Sequence, residues 1–263
     1  MRERLRWLDS DPHAPFPDPE SALYEPDGLL AAGGDLQPAR LLNAYANGIF
    51  PWYSDGQPIL WWSPDPRTVF RSEGVHLSRR DLRRLRALPW TIGADSAFER
   101  VIAACAESPR SGQRGTWITA AMRAAYLELH RLGHAHSIEV WNGTALIGGL
   151  YGVAIGQMFF AESMFSAESG GSKGALAALA GILRDWGWPL FDAQVASEHV
   201  TRMGAIALPR REFLAHVAEW TAKPLAPGAW TERIGTLTVQ SVLACRRHPG
   251  GLRQRSGSGR GPS

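Results

Sequence analysis

The sequence predicts an α+β protein: a short aromatic, proline-rich N-terminal unit followed by a mixed-sheet domain. Three observations predict it. Residues 137–163 hold three consecutive apolar stretches separated by Asn142-Gly143 and Ile155-Gly156, the signature of an antiparallel meander. A long Ala-rich helical stretch and then another apolar strand follow, so helices and strands do not alternate as a regular βαβ series. The first 65 residues are instead dense in turn signals, among them Phe16-Pro17-Asp18-Pro19, Glu25-Pro26-Asp27-Gly28 and Gly33-Gly34-Asp35.

Within the first unit, one helix is expected from Pro38 to Asn47. Pro38 suits the first helical position, Gly48 the stop, and Leu41, Leu42 and Tyr45 give it an apolar face. From residue 66 to residue 222 the pattern predicts helices at Ser78–Leu88, Ala97–Glu107, Thr119–Leu132, Ser172–Trp186, Glu198–Met203 and Arg210–Trp220. Strands are expected at Trp90–Ile92, Ser137–Trp141, Ala145–Ala154, Gln157–Ser163, Leu190–Gln194 and Ala205–Leu208. From Pro224 periodicity is lost, and residues 223–263 read as a basic, flexible tail ending in Ser256-Gly-Ser-Gly-Arg-Gly.

Length and composition bound the function. The 263 residues, 44% hydrophobic and 20% charged, are enough for a sizeable core and are not a disordered composition. No apolar run reaches a membrane span, and no hydrophobic segment follows the N-terminal Met1-Arg-Glu-Arg, so a soluble cytoplasmic protein is expected. Cys105 and Cys245 are too few and too far apart for a disulfide framework or a cysteine-built zinc site. The net charge of +3 is unevenly placed. Residues 246–263 carry five arginines and no acid, which leaves −2 on the rest. RNA binding by the body would therefore need local clustering.

Such a cluster exists. Arg79, Arg80, Arg83 and Arg84 recur at helical spacing opposite Leu82, Leu85 and Leu88, a face suited either to phosphates or simply to solvent. Among eleven tryptophans, Trp52 and Trp117 stand beside turn residues, where they serve either packing or base stacking. His130, His134 and His136 lack a metal-site spacing and read as structural. The turn Glu168-Ser-Gly-Gly-Ser-Lys173 opens a helix with Ser172 as the expected cap; it is not a Walker loop. Glu162 ends an apolar strand, and Asp192 and Gln194 share one strand face, so each needs a partner or a substrate. There is no Gly-x-Ser-x-Gly elbow, no Cys–His pair and no cofactor fingerprint; no cofactor is expected, and an enzyme here would use an already activated substrate.

These residues sit in blocks that resemble the leucyl/phenylalanyl-tRNA–protein transferases. The blocks are Glu25-Pro-Asp-Gly-Leu-Leu-Ala-Ala-Gly-Gly-Asp-Leu36, Gly48-Ile-Phe-Pro-Trp52, Ile59-Leu-Trp-Trp-Ser-Pro-Asp-Pro-Arg67, Gly115-Thr-Trp-Ile118, Gly133-His-Ala-His-Ser-Ile-Glu-Val-Trp141, Gly148-Gly-Leu-Tyr-Gly-Val153, Glu162-Ser-Met-Phe-Ser166, Ser172-Lys173, Asp192-Ala-Gln194 and Ile206-Ala-Leu-Pro-Arg210. The resemblance implies an acetyltransferase-like (GNAT-like) second domain. It also implies transfer of Leu or Phe, with Met a further candidate, from aminoacyl-tRNA to proteins beginning with Arg or Lys, which marks them for N-degron proteolysis. By the same resemblance Gln194 accepts a hydrogen bond from the attacking amine, Asp192 orients and polarises that amide, and Glu162 meets the acceptor. Trp52 and Trp117 grip the terminal adenosine and border the side-chain pocket, and Phe159 lies in that pocket. Leu179 and Leu183 stand where phenylalanine would be expected in that pocket, and the arginine helix becomes the acceptor-stem site. The proton acceptor beyond Gln194 stays open. So do two other readings, a GNAT-like enzyme with another acyl donor and a non-catalytic tRNA-binding module.

Overall fold

The computed structural model describes residues 5–108, 117–225 and 227–244. Gly115-Thr116 and the tail arginines Arg246, Arg247, Arg253, Arg255 and Arg260 lie outside the described residues. The first unit is a four-stranded sheet of β1 (Arg6–Leu8), β2 (Leu29–Gly33), β3 (Phe50–Pro51) and β4 (Leu60–Trp62) in the order β1-β2-β4-β3, with helix α1 (Pro38–Ala46). None of these strands was legible, because runs of two to five residues broken by proline and glycine show no alternation. Helix α1 starts at Pro38, and Gly48 follows its cap at φ +69°, as expected. Trp61, fully buried, donates its indole N–H to the Gly33 carbonyl at 2.9 Å and packs edge-on against Phe16.

The main sheet has eight strands in the order β11-β5-β10-β9-β8-β7-β6-β12. They are β5 (Arg67–Arg71), β6 (Thr91–Ala94), β7 (Ala135–Asn142), β8 (Ala145–Ile155), β9 (Met158–Ser166), β10 (Leu190–Gln194), β11 (Ile206–Leu208) and β12 (Leu237–Thr238). The expected meander is β7-β8-β9. Every join is antiparallel except β9 with β10. Helices α3 (Phe98–Glu107), α4 (Ala120–Arg131) and α7 (Arg210–Thr221) join α1 over one core, which holds Val101, Tyr126, Phe160 and Phe213. Helix α2 (Arg79–Arg86) and helix α5 (Gly171–Asp185) cover the second core, which holds Leu85, Phe159, Leu179 and Leu183. The short α6 (Glu198–Arg202) follows β10.

Three expectations need correction. Strand β5 was not expected, yet it lies inside the sheet with Arg67 fully buried; a five-residue run with arginine at both ends hides a central strand. Ser172 is not the cap of α5. Gly170 caps it at φ +97°, because the first turn lies hard on β8: a Cβ on Gly171 would stand 2.5 Å from the Ile147 carbonyl oxygen. The Ser172 N–H instead donates to Ser166 Oγ at 2.8 Å.

The third concerns the stretch after Pro224. Residues 228–244 are not a flexible tail but form α8 (Thr231–Ile234), β12 and α9 (Val239–Ala244), with Trp230, Val239 and Leu243 buried in the second core. Trp230 stacks on the His136 ring at 4.1 Å, and its backbone N–H donates to Asp95 Oδ2 at 2.6 Å. Four-residue helices are too short to carry a period. No helix among the described residues is long and apolar enough to cross a membrane.

Candidate active site

Strands β9 and β10 pair only at Phe159–Phe191 and Phe160–Asp192, then part. Beyond that point a cavity of about 740 Å³ opens between them. Its walls include Phe50, Pro51 and Trp52 from the first unit, Trp117 before α4, Glu162, Ser163 and Met164 from β9, Ala193 and Gln194 at the end of β10, Val195 to Ser197 after it, and Glu198, His199 and Val200 of α6. Both key polar residues sit at irregularities. Tyr151 faces Ser163 and Gly152 faces Ala161, so Glu162 is the extra residue of a β-bulge. Asp192 faces Val69 while Gln194 faces Thr68, so Ala193 is extra on β10, and Gln194 adopts φ +62°. The two bulges re-aim the side chains toward each other, and Gln194 Nε2 donates to Glu162 Oε1 at 2.7 Å.

Two phenols complete the setting of Glu162. Tyr45 of α1 donates to Oε1 at 2.6 Å and Tyr126 of α4 to Oε2 at 2.9 Å, while the two phenol oxygens also contact each other closely. Burial pushes the Glu162 carboxyl up to about 7; its hydrogen bonds to Tyr45, Tyr126 and Gln194 oppose that rise, and the Asp192 charge adds to it. Burial, and then the charge of Glu162, hold both phenols well above the usual tyrosine range, so they act as donors.

Asp192 does not reach the Gln194 amide. Its carboxylate takes Nε and Nη2 of Arg67 at 2.9 and 2.6 Å and the Gln194 backbone N–H at 2.8 Å. It therefore fixes the backbone that carries Gln194 rather than the side-chain amide. Arg67 is held in turn by the Gly48 carbonyl at 3.1 Å and lies between the rings of Phe50 and Phe213, each 4.6 Å away. With Gln194 Nε2 engaged by Glu162, the amide oxygen remains to accept from the cleft.

The pocket residues fall differently from expectation. Phe159, Leu179 and Leu183 are fully buried in the second core and are not on the cavity wall. On β9, Phe159 points to the α5 face, away from the face that carries Phe160; on α5 the wall residue is Leu176, one turn before. Leu150, Met164 and Phe70 supply the rest of the apolar wall.

A family model described as leucyl/phenylalanyl-tRNA protein transferase matches residues 69–218, and a model of that family's N-terminal domain matches residues 34–65. A relative from Xanthomonas campestris pv. campestris (strain B100), named leucyl/phenylalanyl-tRNA–protein transferase, is 63% identical over 91% of this chain and 96% of its own. The chain belongs to that family. Relatives of the same name from Xanthomonas oryzae pv. oryzae (strain MAFF 311018) and Xylella fastidiosa (strain M23) are 66% and 58% identical, over 92% and 89% of this chain and 96% and 97% of theirs. A solved structure titled "The structure of L-PGS from Bacillus licheniformis" aligns at 8% identity and a TM-score of 0.36, over 64% of this chain and 53% of that one.

In this transferase the arginines of α2 divide. Arg79, Arg80 and Arg83 are exposed, and Arg79, Leu82, Arg83 and Arg86 flank one shallow groove. Arg84 leaves that face: its Nη1 donates to Ser169 at 2.8 Å. Leu82 therefore lies among the arginines rather than opposite them. One of the two lysines ties these helices together, with Lys173 Nζ 2.8 Å from Asp81 Oδ2, and that contact holds the Asp81 carboxyl below its usual range. His136 bonds Asp95 at 2.9 Å and His130 the Ala135 carbonyl at 2.8 Å, both structural, and no metal-binding cluster occurs among the described residues.

Tyr45, Tyr126, Arg67, Leu176 and His199 escaped the sequence reading. Tyr45 looked like one more apolar-face residue of α1, and Arg67 lay in a matched block without a role. Only the Arg67–Asp192 charge pair left any signal, two opposite charges in apolar company 125 residues apart.

Proposed function

We propose that the transferase moves Leu or Phe, with Met a further candidate, from aminoacyl-tRNA to the α-amine of proteins beginning with Arg or Lys, tagging them for N-degron proteolysis. The observation that carries this reading is the Glu162–Gln194 pair. It offers a cationic acceptor a carboxylate that ionises near neutrality and a neutral amide oxygen beside it. An α-amine with a pKa of about 7.7–8.0 is partly neutral at pH 7. It attacks the ester carbonyl directly: the C–N bond forms, the ester C–O bond breaks, and the terminal ribose leaves as its hydroxyl. No bond to the enzyme is made. The fold contributes positioning and a preorganised, hydrogen-bonded site.

Trp52 and Trp117, on the cavity wall, suit the terminal adenosine through stacking. Leu150, Met164 and Leu176 face the transferred side chain, and Phe159, Leu179 and Leu183 set the pocket's depth from below. Leucines at 179 and 183 in place of bulkier rings change that depth, and a methylene-scale difference is worth about 1–3 kcal/mol between competing substrates. Arg79, Arg80 and Arg83 take acceptor-stem phosphates.

The test is transfer of labelled Leu, Phe and Met from charged tRNA to peptides beginning with Arg, Lys or Ala. Label on the Arg and Lys peptides alone supports the reading, and the Leu:Phe ratio reports on the pocket. Charged tRNA that binds without transfer would refute it.

A further inference from the structure

The reaction must move one proton from the attacking amine to the departing ribose oxygen, and the function proposed above already commits Glu162 to the acceptor's cation. Gln194 is an amide with negligible basicity. Glu162 already accepts from Tyr45, Tyr126 and Gln194. The titratable side chains on the cavity wall are Glu162, Glu198 and His199. Glu198 is exposed and closely ion-paired to Arg202 along α6. His199 is different: its ring takes no hydrogen bond from the described residues, and it stands on the first turn of α6, five residues beyond Gln194. Chain entry there is fixed by Ser197, whose Oγ accepts from the Val200 N–H at 3.3 Å.

We propose that His199 is the proton relay of the transfer, taking the proton of the attacking amine and returning it to the ribose oxygen as the ester bond breaks. The relay rests on the function proposed above and deepens it. The proton and bond count closes: one N–H is lost, one O–H is gained, and the imidazole ends as it began.

The groups around His199 suit that role. Lys173 of α5 and Arg202 of α6 are the cations whose charge it feels, Glu198 is its neighbour on α6, Glu162 lines the same cavity, and Asp81 of α2 compensates Lys173. Partial desolvation of the ring against the cavity wall, then the charges of Lys173 and Arg202, hold the imidazole below its ordinary value. It is therefore the neutral, proton-accepting form at pH 7, and a proton it picks up is readily given back.

His199→Ala and His199→Asn test this, at an exposed position where either variant leaves the core untouched. Wild-type transfer of Leu to an Arg-initiated peptide is measured first. We expect His199→Ala to lower kcat by about 10²-fold while leaving the peptide KM and tRNA affinity unchanged. Added imidazole should restore part of the rate, and His199→Asn should stay low. The acid limb of the kcat–pH profile should lose one ionisation, and Lys173→Met should move that limb to higher pH. An inactive wild type overturns the relay together with the function it rests on. An active wild type overturns the relay alone if His199→Ala keeps full kcat, or if its loss is unmoved by imidazole and leaves the pH profile unchanged.

Discussion

Arg67 and Asp192 form a two-pronged ion pair, 2.6 and 2.9 Å, with both side chains fully buried. One strand brings the cation from the end of the N-terminal unit, and the adjacent strand brings the anion two residues before Gln194. Because the same carboxylate holds the Gln194 N–H, the pair couples sheet stability to the position of the site's amide. Removing one partner strands the other charge without water. Arg67→Met should cost about 3–5 kcal/mol in urea unfolding at neutral pH. Arg67→Lys should also lose stability, since an ammonium cannot make the paired contact. A loss below 1 kcal/mol for the methionine variant would show that Asp192 finds another partner or protonates.

Glu162 gives the enzyme a pH signature with a defined sign. Its carboxyl is raised to about 7 in the fold from a usual 4.5, so the folded state holds a proton that the unfolded chain has lost. The stability this adds is complete below the unfolded value and disappears as pH rises through 7. Glu162→Gln, which cannot ionise, should be no more stable than wild type near pH 5 and relatively more stable near pH 8. Thermal melts at both pH values check this; parallel curves would contradict the raised carboxyl.

The two phenols each favour the ionised form of Glu162. Tyr126→Phe should therefore push that carboxyl higher still, and the pH at which acceptor KM begins to rise should move upward. KM measured from pH 6 to 8 with an Arg-initiated peptide reads this shift directly.

On α2, exposed and engaged arginines should separate in a salt titration of tRNA binding. Arg79→Ala and Arg83→Ala should each flatten the slope of log K against log salt by about 0.7–0.9. Arg84→Ala, whose guanidinium is turned to Ser169, should leave the slope nearly unchanged. Equal effects at all three positions would place Arg84 on the RNA-facing side.

The segment after Pro224 is a structural strap. Trp230 is buried against His136, Phe159, Trp186 and Trp188. Trp230→Ala should cost about 3–5 kcal/mol in denaturant unfolding. Truncation after Pro224 should cost at least as much.

By itself the sequence determined the α+β class, the β7-β8-β9 meander and all the longer helices, because apolar period and turn chemistry are local properties, and it marked Glu162, Asp192 and Gln194 as polar residues in apolar company that need partners. It also carried the family resemblance. Only the tertiary structure decided what those residues touch. That Glu162 and Gln194 meet depends on two bulges, each defined by a partner strand, and on the parting of β9 from β10, which no single segment records. Tyr45 and Tyr126 are 81 residues apart and reach one carboxylate only once α1 and α4 share a core. Phe159, Leu179 and Leu183 show the converse: the family resemblance implied a pocket role for them, and packing put them beneath the wall. A buried strand such as β5, or a strap such as 228–244, takes its shape from the surface it completes, so its own residues carry too little pattern to announce it.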